Sequence, residues 1–433
     1  MSATTETYAA DCRGCDEGRA VSGLTRRTLL RGALATGAAL TIGPNLGIRF
    51  ASAATPSGSD TLVVLFLRGG FDGLSAIVPV TDPDYYTLRP TIGIPAASTL
   101  QLSSAFGLHP ALAPLKPLWD SGLFGVVHAA GLTAPNRSHF SAMEEIERAA
   151  PGSSIRTGWL DRTLGLDPMT VAEAPFRATS LGSRSPRSLA GPEPDVSMAQ
   201  LSDFALSGAD TAPNRAKWAT ALRALHSDAT ASVAAPANTT LGALDAAAAL
   251  AAQTYSPGAT YPDTDLGRAL RDAARIIKSD QQVAVVTVDV GDWDMHSGLG
   301  KVGSGWMHDK LTELGQVLAA FMQDLGGQAD DVTLVTMSEF GRRTQENASA
   351  GVDHGWGNAM LMFGGGVKGG QVHGTWPGLS PDNLYDGDLR ATTDYRSVLA
   401  DILVNRCGAT TTDAKAVFPG WTGSSLGLTT VRT

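Results

Sequence analysis

Five apolar runs recur along the chain and divide it into a regular series of segments. They cover residues 61–67, 124–130, 283–290, 332–337 and 359–363. Short runs that are apolar on both faces are typical of strands buried inside a parallel sheet. The pattern therefore predicts a sheet whose two faces are both covered.

Segments with helical periodicity lie between these runs. They cover residues 138–149, 265–277, 307–325 and 394–406, and Asp394 suits the N-cap position of the last one. Strands that alternate with helices predict an α/β fold, in which a mostly parallel sheet carries helices on both faces.

The middle of the chain has a different composition. Residues from about 172 to 262 are rich in alanine, serine, threonine and proline and contain few aromatic side chains. We expect an alanine-rich helical insertion here, with helices over residues 208–226 and 241–251 and loops over 180–194 and 231–239. The order of the flanking segments favours a single α/β domain over residues 60–425 that carries this insertion.

The N-terminal residues have the pattern of an export signal. Arg26 and Arg27 precede a weakly apolar, glycine-containing stretch at residues 32–48, and small residues follow at 51–53. Adjacent arginines before such a stretch are typical of a twin-arginine signal. We expect the twin-arginine translocation machinery to export the chain and residues 1–53 to be removed, which gives a periplasmic or extracellular protein with no stable membrane span. An uncleaved anchor is the alternative, although glycines and Pro44 make this stretch a poor spanning helix.

Charge and cysteine content restrict the classes of function. The 433-residue chain has a formal net charge of −9. Nucleic-acid binding needs clustered lysine and arginine, so no nucleic-acid partner is expected. Cys12 and Cys15 leave with the leader, and Cys407 alone cannot form an internal disulfide.

Polar side chains stand at the ends of the predicted strands, where ligands bind in parallel α/β sheets. The candidate residues are Asp72, Arg137, Ser138, Asp292, His296, Glu339 and His354. All of them directly follow a predicted strand region except His354, which precedes the last predicted strand. We expect them to form one shared polar site.

Asp292 and His296 are four residues apart and can converge on one ion, with His354 as a further nitrogen ligand. Such mixtures of imidazole and carboxylate bind transition metals and leave positions open for water or substrate. Asp72 and Glu339 are expected to hold a second cation. A divalent metal, whether zinc, manganese or calcium, is the expected cofactor. The alternative is that the aspartates cap turns and the histidines are hydrogen-bonded loop residues.

Ser138 and Arg137 are the candidate catalytic residues. Ser138 opens a predicted helix, where the positive end of the helix dipole would favour a developing alkoxide nucleophile. Arg137 beside it could clamp an oxyanion through two hydrogen bonds. The alternatives are that Ser138 is only an N-cap and that Arg137 is plain surface charge.

Several sequence blocks together resemble a known family. They are Phe66-Leu-Arg-Gly-Gly-Phe-Asp-Gly-Leu-Ser75, Arg137-Ser-His-Phe140, Gly291-Asp-Trp-Asp-Met-His296, Ser338-Glu-Phe-Gly-Arg342, Asp353-His354 and Gly364-Gly-Gly-Val-Lys-Gly-Gly370. With the leader, they are similar to the secreted domain-of-unknown-function family 1501, which is placed in the alkaline phosphatase and sulfatase superfamily.

The resemblance implies an alkaline-phosphatase-like fold and a set of roles. Asp72 would correspond to the superfamily's aspartate after the first strand, and Ser138 to its nucleophile. Asp292 and His296 would correspond to its Asp-x-x-x-His pair, and His354 to the histidine that comes last in the chain. Ser338-Glu339 departs from the Asp-His pair that the phosphatases of the superfamily commonly carry. A histidine ligand is therefore missing at this position.

These observations predict an exported, metal-dependent hydrolase of phosphate or sulfate esters, whose substrate is a small anionic ester. The departure at Ser338-Glu339 keeps an alternative open, a non-catalytic envelope or periplasmic binding protein that retains a degenerate site. An isomerase or mutase that uses the same site is a third reading.

Overall fold

A computed structural model describes residues 59–167, 174–182, 184–209, 211–279 and 281–432. The predicted export signal, residues 1–53, lies outside these residues. All of the described residues fall in one structural unit, Ser52–Thr433.

Twelve strands occur in this part of the chain. In chain order they are β1 (Thr61–Leu67), β2 (Ile77–Val78), β3 (Leu100–Gln101), β4 (Gly107–Leu108), β5 (Phe124–Gly131), β6 (Ala178–Leu181), β7 (Val196–Met198), β8 (Val285–Val290), β9 (Val332–Met337), β10 (Asn358–Phe363), β11 (Val372–His373) and β12 (Thr393–Asp394).

The α-helices of the described residues are α1 (Gly73–Ala76), α2 (Pro83–Leu88), α3 (Lys116–Asp120), α4 (His139–Arg148), α5 (Trp159–Leu164), α6 (Ala212–His226), α7 (Ala231–Ala251), α8 (Asp265–Ile277), α9 (Trp306–Leu325), α10 (Tyr395–Arg406) and α11 (Thr411–Val417). Short 3₁₀ helices lie at Ala96–Ser98, Pro110–Leu115, Arg187–Leu189, Leu201–Asp203, Gly326–Asp331 and Pro381–Asn383.

The main sheet has nine strands in the order β11-β5-β10-β9-β1-β8-β6-β7, and β12 pairs with β5 beside this row. Neighbouring strands are parallel except around β10, which runs antiparallel to both β5 and β9. The carboxyl ends of β1, β5, β8 and β9 therefore share one edge of the sheet with the amino end of β10. A smaller antiparallel sheet has the order β2-β4-β3.

Both faces of the main sheet are buried, as its central strand shows. Val63, Leu65 and Leu67 of β1 pack into one apolar cluster with side chains of α8 and α9. The alternate residues Leu62 and Val64 pack into a second cluster with side chains of α4, α10 and α11. Successive side chains of a strand point to opposite faces, so helices must cover both sides. This confirms the predicted α/β class with a mostly parallel sheet.

The five predicted strands correspond to β1, β5, β8, β9 and β10, and the four predicted flanking helices to α4, α8, α9 and α10. The middle of the chain differs from its prediction. Residues 172–262 contribute β6 and β7, which join the main sheet beside β8. These strands have four and three residues, too few for a detectable pattern.

The predicted loop over residues 231–239 is also wrong, because α7 spans Ala231–Ala251. Alanine is the strongest helix former, and its density in this segment outweighs the single Pro236 inside the helix.

None of the helices in the described ranges is both long enough and apolar enough to cross a membrane.

Candidate functional site

Three histidines and one aspartate lie together at the edge of the sheet that holds the carboxyl ends of β1, β5, β8 and β9. His139 is the first residue of α4, and Asp294 and His296 follow β8. His354 precedes β10 and reaches the same edge because β10 runs antiparallel to its neighbours. The topology thus brings together residues from three distant parts of the chain.

An alternation of buried and exposed residues after β8 positions Asp294 and His296. Trp293 and Met295 are 2% and 1% exposed, whereas Asp294 and His296 are exposed. Trp293 packs edge-on against Phe71, with 5.0 Å between the ring centroids. Burial of the two apolar side chains therefore turns the two polar ones toward the same side.

The Nε2 atoms of the three imidazoles face the Asp294 carboxylate. His296 Nε2 lies 3.0 Å and His354 Nε2 3.1 Å from Asp294 Oδ1. His139 Nε2 lies 3.4 Å from Asp294 Oδ2. His296 Nε2 and His354 Nε2 are 2.9 Å apart. His139, Asp294 and His354 each place one ligand atom within 4.8 Å of the others, which is the spacing of a group able to hold a divalent metal.

Each imidazole is fixed through its other nitrogen. The Nδ1 contacts are His139 to Glu339 Oε1 at 2.8 Å, His296 to Asp353 Oδ1 at 2.7 Å, and His354 to the Arg137 carbonyl oxygen at 2.8 Å. Carboxylate and carbonyl oxygens only accept hydrogen bonds, so each Nδ1 has a partner that suits a protonated nitrogen, and each Nε2 is the nitrogen directed at the Asp294 carboxylate.

This arrangement fits a metal ion. Two imidazole nitrogens only 2.9 Å apart, as His296 Nε2 and His354 Nε2 are, need a cation or a proton between them. The Nδ1 partners match the acceptors that orient metal-binding histidines in other proteins. The group His139, Asp294 and His354 offers two imidazoles and one carboxylate, which suit zinc, manganese or iron better than calcium, because calcium prefers oxygen ligands alone.

Arg342 holds Asp294 in place and keeps it ionised. Its Nη2 atom lies 2.6 Å from Asp294 Oδ1, and the same guanidinium donates to the carbonyl oxygens of Gly70, Val352 and Trp293. Burial raises the pKa of Asp294, but the hydrogen bond and charge of Arg342, together with the histidines, lower it to about 2. The aspartate is therefore a carboxylate ligand at any physiological pH.

The buried ring of Phe340 packs against two of the imidazoles. The ring centroid of Phe340 lies 4.6 Å from that of His354 and 4.9 Å from that of His139, and Phe340 is 3% exposed. Burial lowers the pKa of His354, which favours its neutral, metal-binding form.

The structure brings together two of the five residues predicted as metal ligands, His296 and His354. Glu339 contacts a histidine of the site but not the Asp294 carboxylate. Its buried carboxylate accepts hydrogen bonds from His139 Nδ1 and from the Gly69 backbone nitrogen, both at 2.8 Å. Glu339 thus orients a histidine and faces away from the Nε2 atoms.

Asp72 is engaged elsewhere. Its two carboxylate oxygens lie 2.6 and 2.9 Å from the Arg89 guanidinium, and its Oδ2 accepts from Ser75 at 2.5 Å. Asp72 and Arg89 are 3% and 1% exposed. Asp72 is therefore held by Arg89 and Ser75 and makes no contact with the histidine cluster.

Asp292 makes no contact with the cluster. It adopts a left-handed backbone with φ of +67° and is exposed. Its side chain makes no hydrogen bond or ion pair with the described residues. Asp294, two residues on, takes the place that the sequence assigned to Asp292.

Ser138 is the N-cap residue of α4, yet its hydroxyl does not cap the helix. The nearby Asn136 Oδ1 accepts from the Ser138 backbone nitrogen at 3.2 Å and from Ser141 Oγ at 2.9 Å, and these bonds fix the turn that leads into the helix. Ser138 is exposed, and its Oγ has no hydrogen-bond partner among the described residues. The hydroxyl is therefore free to react.

The guanidinium of Arg137 is already paired. It lies 2.9 Å from Asp386 Oδ2 and 2.7 Å from Asp388 Oδ2. The direct contact of Arg137 with the histidine cluster is its backbone carbonyl, which binds His354 Nδ1. An oxyanion would have to compete with two carboxylates for this side chain.

A family profile described as "Protein of unknown function (DUF1501)" matches residues 123–432. The chain belongs to the DUF1501 family. Among solved structures, the chain is similar to the PsFucS1 sulfatase from Pseudoalteromonas sp., with 11% sequence identity and a TM-score of 0.30. The similarity covers 72% of this chain and 64% of the sulfatase chain, so the chain spans less than two thirds of that protein. No curated protein sequence matches the chain.

Two residues of this DUF1501 protein's site were not predicted from sequence, His139 and Asp294. Both lie inside the motifs that carried the family resemblance. The alternation of Trp293 and Met295 with Asp294 and His296 was a readable signal, because a period of two places Asp294 and His296 on one side. No comparable signal marks His139, which directly follows Ser138, the predicted nucleophile.

Proposed function

We propose that this DUF1501 protein is a metal-dependent hydrolase of phosphate or sulfate esters. One observation carries the proposal: three imidazole Nε2 atoms meet the Asp294 carboxylate at the start of α4, where the exposed Ser138 directly precedes His139.

The four side chains His139, Asp294, His296 and His354 would hold one divalent cation, zinc or manganese. When bound, the cation would supply positive charge. This charge would polarise the ester and stabilise the attacking oxygen and the leaving-group oxygen. The engagement of Asp72 with Arg89, and of Glu339 with His139, favours one cation over two.

Ser138 is the proposed nucleophile. It stands at the positive end of the α4 dipole, which stabilises negative charge on its oxygen and on the ester. Attack by Ser138 Oγ forms a bond to phosphorus or sulfur and breaks the bond to the leaving alkoxide, which takes a proton from water. The serine proton passes to solvent, since Ser138 is exposed. Water then hydrolyses the serine ester and restores the hydroxyl.

The acidic chain offers anionic esters no long-range attraction, because its formal net charge is −9. The cation and the amino end of α4 must therefore provide the local positive charge. Arg137 contributes through its carbonyl, which orients His354, while its guanidinium is held by Asp386 and Asp388.

The test compares variants on 4-nitrophenyl phosphate and 4-nitrophenyl sulfate with added zinc or manganese. We expect Ser138→Ala to lower kcat by at least about 100-fold with unchanged metal content. We expect His354→Ala to lose both activity and bound metal, as measured by mass spectrometry. Ser141→Ala, which removes another exposed hydroxyl of α4, is the matched control and should keep full activity.

Two results would overturn the proposal. One is the absence of turnover of either ester by metal-loaded protein. The other is turnover that the His354→Ala and Ser138→Ala variants retain.

A further inference from the structure

One exposed face of α4 leads away from the site along the helix. Phe140, Glu144 and Arg148 are spaced by four residues, which places them on one face of a helix. The face begins beside His139 and extends over about 12 Å from Phe140 to Arg148. Anything bound along it would have one end at the histidine cluster.

Phe140 is unusual for this position. Its side chain is 88% exposed, the highest value among the large hydrophobic residues of the described chain. A large aromatic side chain in water gains nothing for the stability of the monomer, whereas such a ring is a common platform for the apolar face of a ligand.

Three arginines surround one glutamate at the other end of this face. Glu144 carboxylate oxygens lie 2.5 Å from Arg148 Nη1, 3.6 Å from Arg156 Nη1 and 3.2 Å from Arg187 Nη1. The side chains of Arg156 and Arg187 are 73% and 60% exposed. We call these four residues the arginine cluster.

The arginine cluster keeps an excess of two positive charges. Glu147 lies on the same helix, but its Oε1 pairs with Arg68 at 2.7 Å and its Oε2 accepts from the Arg187 backbone nitrogen at 2.6 Å. Glu145 accepts from Asn136 at the start of the helix. In the part of the chain that is described, Glu144 is the one carboxylate within 4.0 Å of the three guanidinium groups.

We propose that this face of α4 binds an acidic oligosaccharide, with Phe140 packed on a sugar ring and Arg148, Arg156 and Arg187 paired with its carboxylate or sulfate groups. Arginine binds such groups through two parallel hydrogen bonds, and the three guanidinium groups share a single carboxylate, that of Glu144. The inference deepens the proposed function, since it places the ester of a charged saccharide at the histidine cluster.

A nucleic acid fits this surface less well. Its binding relies on neutralising many phosphates with a broad basic stripe. Here the positive excess is local, and the whole chain is acidic with a net charge of −9. One aromatic ring and a few arginines match a short saccharide better.

The test measures calorimetric affinity of the full-length protein for a sulfated octasaccharide prepared from heparin. We expect Arg156→Glu/Arg187→Glu to weaken binding about tenfold or more, because four units of charge change at the site. Phe140→Ala should weaken it about threefold or more through loss of ring contact. Arg223→Glu/Arg271→Glu makes the same charge change at two other exposed arginines and should stay within twofold of the wild type.

Three outcomes would overturn the inference. They are no binding by the wild type, equal weakening by the two double variants, and affinity for oligothymidylate of equal charge as high as for the octasaccharide. Hydrolysis of the 4-nitrophenyl esters is measured on the same preparation. Binding without hydrolysis would leave this inference standing while the proposed function fails, and hydrolysis without binding would do the reverse.

Discussion

At the scale of single residues, the three imidazoles of the site differ in what fixes them. His139 is held by the buried carboxylate of Glu339, His296 by the exposed Asp353, and His354 by a backbone carbonyl. A carboxylate partner makes an imidazole a stronger ligand than a carbonyl does, and a buried partner holds it more rigidly. Of the three imidazoles, His139 is therefore held by the strongest hydrogen bond.

The hydrogen bond between Glu339 and His139 can be tested by mutation. Glu339→Gln should weaken manganese or zinc affinity by about 10–100-fold, because the amide removes the charge that raises the basicity of His139. Asp353→Asn makes the same change at a carboxylate whose side chain is 51% exposed, and its effect should be smaller because solvent screens the charge. Competition with a chromogenic chelator measures both affinities.

Equal affinities of the Glu339→Gln variant and the wild type would contradict this assignment and return Glu339 to a purely structural role. A larger loss in Asp353→Asn than in Glu339→Gln would place the stronger support at His296.

At the scale of elements, the sequence pattern located strands but not their directions. The run at residues 359–363 predicted β10, and nothing in it showed that β10 is antiparallel to both neighbours. Direction and register depend on pairing with distant segments, here β5 and β9. His354 was still placed correctly near a strand end, because the amino end of an antiparallel strand lies at the same edge as the carboxyl ends of parallel ones.

The same limit explains the choice between Asp292 and Asp294. Both follow β8, and the spacing of Asp292 to His296 looked like a ligand pair. Asp294 follows the buried Trp293 and contacts all three histidines, whereas Asp292 contacts none of them. Trp293 packs against Phe71, a residue more than two hundred positions earlier, and such a distant contact cannot be read from the local sequence.

A buried ion pair beside α1 provides a prediction about stability. Asp72 precedes α1, and its carboxylate forms a buried ion pair with Arg89 just after α2. Removal of one partner leaves an unpaired charge in the interior, so Asp72→Asn should lower the free energy of unfolding by about 3–5 kcal/mol. Urea unfolding at pH 7 measures this loss.

The stability difference between the wild type and Asp72→Asn should depend on pH in a definite direction. Burial raises the pKa of Asp72, but the charge and hydrogen bonds of Arg89 hold it below the ordinary value of 3.8. A carboxyl whose folded-state pKa is lowered stabilises the fold above its unfolded pKa and loses this contribution as pH falls through the folded pKa. The difference between wild type and Asp72→Asn should thus be constant from pH 7 to pH 5 and shrink below about pH 4. A difference that grows on acidification would contradict the ion-pair account.

At the scale of the whole molecule, the site joins segments that are far apart in the chain. His139 begins a helix on one face of the sheet, Asp294 and His296 follow a central strand, and His354 precedes the antiparallel strand. A cation bound to all of them links the edge of β8 to α4 and β10. The unfolded chain cannot present this arrangement, so the proposed cation would bind the folded state selectively.

The last prediction follows from this selectivity. A cation at 100 times its dissociation constant should raise the free energy of unfolding by about 2.7 kcal/mol. Manganese is the better probe, since thiolates such as those of Cys12 and Cys15 bind it weakly in the unfolded chain. Urea unfolding with and without manganese gives the increment, which should vanish in His354→Ala. His373→Ala, which removes a partly exposed imidazole on β11, is the matched control and should keep the increment. An equal increment in all three proteins would mean that the cation binds elsewhere, and the histidine cluster would then have to be explained without a metal.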